Sequence, residues 1–315
     1  MVRYFEKRGR ELIEHTELQA NCWINISPPF NRIELETLAE RLTIPIDFLD
    51  DSLDIDERTR FEEEEDTKLI VINTPILRQN THHERTLYVT IPIGIIISSE
   101  HIITIASYSN PVIEGFLNMR VRRFNPEDRT MFVLQILEQN VYSYLRCLKD
   151  MNVRRNIIEQ EVYASSKNRD LKRLLNLEKS LIYFVTALSS NTLLMSRMDR
   201  IDFLKIKDDS EKHDLLEDII VDNSQAQEMA HIYSNILAGT MEALASVISN
   251  NLHEVMQRLT LVTIVLMVPT LISSFYGMNV DLPFRDHPHT FWFLLGTAFV
   301  LVVILFLFFR NRRMF

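Results

Sequence analysis

The chain has 315 residues, of which 46% are hydrophobic and 24% charged, and a formal net charge of −9; that length predicts two or more domains. An acidic balance without any basic, aromatic-interleaved stripe excludes nucleic acid as a partner. Cys22 and Cys147 lie far apart and in no CxxC pair, which excludes a disulfide framework or thiolate zinc cluster and suits a reducing cytoplasm.

A mean hydropathy near zero averages two unlike parts, a charged stretch over residues 1–258 and a lipid-soluble one over 259–309. The first residues, Met1-Val2-Arg3-Tyr4-Phe5-Glu6-Lys7-Arg8, carry no apolar core, so no signal peptide is expected. No P-loop, GxSxG, HExxH or DFG-like set occurs, and nothing in the chain reads as an enzyme.

Residues 1–125 alternate short β-like and helical runs. Residues 22–26 read as a strand stopped by Ser27-Pro28-Pro29, and 31–42 as an amphipathic helix ended before Pro45. The runs 69–76, 86–91, 93–98 and 101–107 are rich in Val, Ile and Thr and bounded by turn residues. They predict four more strands of a largely antiparallel sheet. The acidic run Glu62-Glu63-Glu64-Glu65-Asp66 reads as a charged turn before a strand, and His82-His83 beside Glu84 as a solvated turn. Adjacent histidines in a strand would point to opposite faces, which argues against a metal site there.

From Pro126 the apolar period changes from two to 3.6 and glycine is missing between Gly115 and Gly239. Helices are predicted over 127–159, 168–196 and from about 209, making 126–222 a helical region. The last helix meets no proline before Pro269, and residues 223–276 read as a stalk that continues into a membrane segment at 259–276. Counted over 222–276, it would run roughly 80 Å at ~1.5 Å per residue. A helix that long needs partner helices, from its own chain or from copies of it.

The runs 259–276 and 290–309 contain no Asp, Glu, Lys or Arg, and each has roughly the ~20 residues that a bilayer core requires. They predict two membrane-crossing helices joined by a loop at 277–289 and followed by a basic tail at 310–315. Arg258 precedes the first, Arg310, Arg312 and Arg313 follow the second, and the loop sets Arg285 against Asp281 and Asp286. The positive-inside rule then places both termini in the cytoplasm and the loop outside, in a multi-pass protein of the plasma or inner membrane.

Met256, Leu259, Thr263, Met267, Thr270, Ser274 and Gly277 recur at spacings of 3, 4, 4, 3, 4 and 3, on one helical face. Small and hydroxylated residues on a membrane helix serve either tight helix packing or, in several copies, the lining of a pore. Such a lining would meet a hydrated ion through its waters, which suits Mg²⁺, a cation that loses its octahedral water shell reluctantly. Asn279 repeated about an axis would put a ring of amide oxygens at the outer mouth, where Asp281 and Asp286 would raise the local cation concentration.

Tyr276-Gly277-Met278-Asn279, set between two C-terminal spans, resembles the signature of the CorA family of magnesium and cobalt channels. The approach from Ser249 through His253 and Met256 to Thr260, the Met267 and Pro269 step, Trp23-Ile24-Asn25 and Phe48-Leu49-Asp50-Asp51-Ser52-Leu53 are similar to that family as well. The resemblance implies a homopentamer: an α+β cytoplasmic domain, then long α-helices forming a funnel, then two transmembrane helices, the first lining the pore. It implies a filter at Gly277, Met278 and Asn279. It also implies regulatory metal sites between subunits, with Asp50 and Asp51 meeting Asp218 of a neighbour and Glu138 near a further sensor position. The expected function is passive Mg²⁺ influx driven by the membrane potential and closed by intracellular Mg²⁺. His253 departs from the asparagine that many relatives carry there, and imidazole prefers transition metals, so Co²⁺, Ni²⁺ or Zn²⁺ stand as alternative cargo. The alternative of another class is a non-conducting, membrane-anchored oligomeric metal sensor or scaffold.

Overall fold

The computed structural model describes residues 1–9, 11–79, 86–121, 124–164, 168–280 and 288–311, and the chain divides into two compact units, Met1–Met241 and Glu242–Phe315. In the first unit seven strands form one sheet: β1 (Val2–Arg8), β2 (Glu11–His15), β3 (Trp23–Ile26), β4 (Arg60–Glu64), β5 (Thr67–Gln79), β6 (Thr86–Ile97) and β7 (Ile102–Ala106). Their order is β2-β1-β3-β7-β6-β5-β4, antiparallel throughout except where β3 pairs with β7. The helices are α1 (Arg32–Leu42), α2 (Ile46–Leu53), α3 (Pro111–Leu117), α4 (Arg129–Ala164), α5 (Asn168–Arg200), α6 (Ser210–Tyr276) and, in the second unit, α7 (Thr290–Asn311).

Both faces of the sheet are covered, which is why its central strands are apolar at nearly every position. Leu69, Val71, Ile96, Ile103 and Ile105 pack against Leu35, Leu38, Phe48 and Leu49 of α1 and α2. The alternate residues Ile70, Ile72, Ile93, Ile95 and Ile102 face the other way, into Val112 and Phe116 of α3, Phe132 and Ile136 of α4, Leu194 and Met198 of α5, and Leu216 and Ile219 of α6. Trp23, wholly buried, centres this second core, with the rings of Phe116, Phe124 and Phe132 edge-on around it at 5.2–6.5 Å.

The expected strands 86–91 and 93–98 are one strand, running through Pro92, which stands opposite Asn73. A proline donates nothing to a ladder, so the Asn73 backbone finds partners elsewhere. Its N–H donates to Asn191 Oδ1, and its carbonyl accepts from Asn140 Nδ2, Asn191 Nδ2 and Tyr144 Oη at 2.9–3.1 Å. The acidic run is a correction too: Arg60–Glu64 is the edge strand β4, and only Glu65-Asp66 form the turn, with Glu65 at φ 51. Charged residues suit an edge that must not recruit another strand. The hairpin of β1 and β2 and the short helices α2 and α3 were not predicted. His82, His83 and Glu84 lie outside the described residues.

Cys22 and Cys147 are free thiols, and burial pushes both up, Cys147 to about 11. In the second unit, α7 and the C-terminal part of α6 are each long and apolar enough to cross a membrane.

Candidate functional site

At 100° per residue, Met256, Leu259, Thr263, Met267, Thr270, Ser274 and Gly277 fall within about 40° of the Thr263 direction, and all are exposed. The less exposed positions of the same segment are Leu261, Val265, Val268, Pro269, Ile272 and Tyr276, centred about 180° away by the same rotation. On α7 the less exposed positions Thr290, Leu294, Ala298, Val302, Leu305 and Phe309 recur at helical spacing as well. On each of the two apolar helices the less exposed positions thus gather on one side, and on α6 the polar stripe lies on the opposite, exposed side. His253 stands about 80° from the stripe's centre, exposed at its edge.

The Thr263 hydroxyl donates to the Leu259 carbonyl and the Thr270 hydroxyl to the Leu266 carbonyl, each at 2.9 Å. A threonine whose proton is engaged along its own helix presents only oxygen lone pairs outward. That surface accepts protons from water and offers none, which is what the hydration shell of a cation requires of a wall.

The helix ends at the tripeptide. Gly277 N–H donates to the Ser273 carbonyl at 3.0 Å and Met278 N–H to the Phe275 carbonyl at 3.2 Å. A methyl group at Gly277 would stand 3.3 Å from the Ser273 oxygen and 3.5 Å from that of Ser274. Met278 and Asn279 are exposed beyond this end. Asp281 and Asp286 lie outside the described residues, as do Arg285, Arg312 and Arg313.

The four acidic residues singled out from the sequence fall into two groups. Asp50 and Asp51, on α2, are each held by an arginine of the same chain, Asp50 by Arg32 and Asp51 by Arg60. Arg60 also reaches Glu57 at 2.6 Å and Glu62 at 3.6 Å. Glu138 on α4 and Asp218 on α6 stand on the other side of the sheet, around Tyr142. The field of Glu138 first, then burial and the fields of Asp222 and Asp218, push the Tyr142 phenol up. One chain thus brings Asp218 to Glu138, with Asp222 as a neighbour the sequence reading missed, and keeps Asp50 and Asp51 apart from them.

A further set went unnoticed. His213, Asp214 and Glu217, in the first turns of α6, place one ligand atom each within 4.8 Å of one another, and His213 Nε2 stands 3.3 Å from Asp199 Oδ1. Its sequence signal was available: His213 and Glu217 are four apart on a helix.

Comparison with known proteins adds the family. The family model described as "CorA-like Mg2+ transporter protein" matches residues 19–313. A cobalt/magnesium transport protein CorA of Methanocaldococcus jannaschii is 29% identical over 297 residues, 92% of this chain and 90% of that protein. One of Thermotoga maritima with the same description is 22% identical over 300 residues, 92% of this chain and 82% of its own. The complete structure of the CorA magnesium transporter from Methanocaldococcus jannaschii superposes with a TM-score of 0.80 at 25% identity, covering 98% of this chain and 97% of that one.

Proposed function

The chain belongs to the family of CorA-like Mg²⁺ transporter proteins, and from that premise we propose that it is a passive Mg²⁺ influx channel, driven by the membrane potential and gated by intracellular Mg²⁺. It is a transporter and not an enzyme. For a divalent ion an inward potential supplies about twice ~2.3 kcal/mol per 100 mV, so no nucleotide site is needed. Five copies would turn the polar stripe of α6 to a common axis, with α7 outside it and both termini in the cytoplasm.

The observation that carries this reading is the direction of the stripe. Thr263, Met267, Thr270 and Ser274 lie on the exposed side of α6, opposite its less exposed positions, and lead to Gly277-Met278-Asn279. A scaffold would have no use for that alignment. Single cysteines at 263, 267, 270 and 274 are expected to react with a water-soluble thiol reagent in the reconstituted protein. Cysteines at 265, 268 and 272 should stay protected. Equal protection of both sets would favour the scaffold. The native thiols give little background, because burial keeps them protonated.

For gating, we propose that cytoplasmic Mg²⁺ bridges Asp51 of one subunit and Asp218 of the next and holds the funnel closed, with Asp50 and Glu138 adding charge nearby. The bridging ion would have to compete with Arg60 for Asp51. When internal Mg²⁺ falls, the bridges would empty and the like charges push the subunits apart. In the Asp51→Ala, Asp218→Ala double variant, currents should persist at millimolar internal Mg²⁺. Currents still fully suppressed would refute this gating while leaving the channel standing. Co²⁺, Ni²⁺ and Zn²⁺ are the alternative cargo, favoured by the imidazole of His253 at the stripe's edge.

A further inference from the structure

A separate site is built into the sheet of the Met1–Met241 unit. Its one parallel neighbour pair among the described strands is β3 beside β7. Beyond Ile26 the chain leaves β3 for α1 and α2 on one face; beyond Ala106 it leaves β7 for α3 and α4 on the other. Parallel strands whose continuations part in this way open a crevice past their carboxyl ends, the usual ligand position in open α/β sheets. A cavity of about 460 Å³ lies there, with Arg3, Asn25, Ser27, Tyr108, Asn110 and Glu114 in its wall, and that volume is in the ~300–1,000 Å³ range of small-molecule sites.

The wall has a surplus of donors. Trp23 Nε1 donates to Thr104 Oγ1 at 2.9 Å, and Thr104 Oγ1 donates to Asn25 Oδ1 at 3.0 Å. An indole N–H can only donate, so the threonine must accept there and give its own proton to Asn25. That chain fixes which end of the Asn25 amide is oxygen. Its Nδ2, on a side chain only 5% exposed, is left without a protein acceptor among the described residues. Asn110, 3% exposed, repeats the pattern: its Oδ1 accepts from Val112 N–H at 2.9 Å, and its Nδ2 has no partner among the described residues. Arg3 commits Nε and Nη2 to Glu14 and keeps Nη1. The acid in the wall, Glu114, is engaged by the Ser109 hydroxyl. Asn110 Nδ2 is fully enclosed behind the wall, which leaves Asn25 Nδ2 and Arg3 Nη1 as the donors a crevice ligand could meet, and a ligand that brings acceptors and no donors would satisfy them.

We propose that this crevice binds a small oxyanion, a carboxylate or phosphate group, held by Asn25 Nδ2 and Arg3 with the Asn110 amide behind them. Trp23, coupled to Asn25 through Thr104, is its reporter. The chain has two tryptophans, so in a Trp292→Phe background the emission comes from Trp23. The detergent-solubilised full chain, metal-free, would be titrated with citrate and separately with inorganic phosphate. Expected is a saturable change in Trp23 emission with at least one of them at a Kd below ~1 mM, together with a rise in the unfolding midpoint. Saturation by citrate alone assigns a carboxylate ligand, and by phosphate alone a phosphate ligand. Asn25→Asp keeps the acceptor for Thr104 and removes the donors, so it should weaken binding at least ~10-fold. Arg3→Gln, on the sheet surface, should weaken it as well and guards against a folding defect in the first variant. No saturation by either anion up to ~10 mM, far above the expected Kd, would overturn the proposal. So would a saturable response that both variants leave unchanged. Neither measurement depends on ion conduction.

Discussion

Gly94→Ala is expected to destabilise the Met1–Met241 unit by about 3 kcal/mol or more, the upper end of overpacking costs. Gly94 lies on β6 where α2 crosses the sheet. A Cβ added there would overlap Ser52 Oγ and Ser52 Cβ and come within 2.8 Å of Ile105 Cγ2. Ser52 cannot move aside alone, because it is wholly buried and its hydroxyl donates to the Phe48 carbonyl at 2.6 Å. Nor can α2 lift easily, since Phe48 and Leu49 anchor it in the core. At roughly 2–4 °C per kcal/mol for a unit of this size, the unfolding midpoint of the full chain should fall by about 10 °C. Adding Ser52→Gly removes two of the three overlaps and should restore most of the loss, less the ~1 kcal/mol that a helical glycine costs. A midpoint within about 1 °C of the parent for Gly94→Ala alone would mean that the close approach is not what seats α2. Because α2 carries Asp50 and Asp51, the same variant should also disturb their pairing with Arg32 and Arg60 and hence the proposed response to internal Mg²⁺.

None of that close approach is legible in the sequence, and the reason is general to this chain. What depends on neighbours along the chain was readable. The 3.6 period yields α4, α5 and α6 to within a few residues, the uncharged apolar run yields α7, and the Val- and Ile-rich runs yield most of the sheet. What depends on distant partners was not. Pro92 reads as a strand breaker until Asn140, Tyr144 and Asn191 are seen to take over the backbone of Asn73. The run Glu62–Glu64 reads as a turn because its strand is an edge, where charge is tolerated and the apolar alternation is lost. Asp50 and Asp51 read as free carboxylates because Arg32 and Arg60 are 18 and 9 residues away. The stripe on α6 shows the same division: spacing placed its residues on one face, and only the pattern of exposure in the folded chain shows that this face is the open one.

Asn279→Ala is expected to lower Mg²⁺ uptake into sealed liposomes at least ~100-fold, a barrier increase of about 2.7 kcal/mol. The reason lies in what the stripe lacks. From Leu259 to Gly277 it offers hydroxyls, sulfur and backbone but no carboxylate, so nothing along it could replace the six waters of Mg²⁺. In the proposed channel the ion would therefore pass hydrated, and its waters would be recognised where entry is decided. The C-terminal end of α6 carries partial negative charge and points it at Gly277-Met278-Asn279. A carboxamide oxygen just beyond accepts a proton from a first-shell water, a bond worth about 1 kcal/mol or more when one partner is polarised by charge. Several copies around an axis would multiply that preference, and alanine removes all of them together. Asn279 is exposed and follows the last turn, so its loss should leave the unfolding midpoint unchanged, which separates a filter defect from a folding one. Asn279→Asp should behave differently: it keeps the acceptor, adds charge, and should retain uptake while relaxing the choice among Mg²⁺, Co²⁺ and Ni²⁺. Uptake by Asn279→Ala equal to that of the parent, at the same imposed potential, would show that the ion is selected elsewhere, and His253 at the far end of the stripe would be the next residue to test.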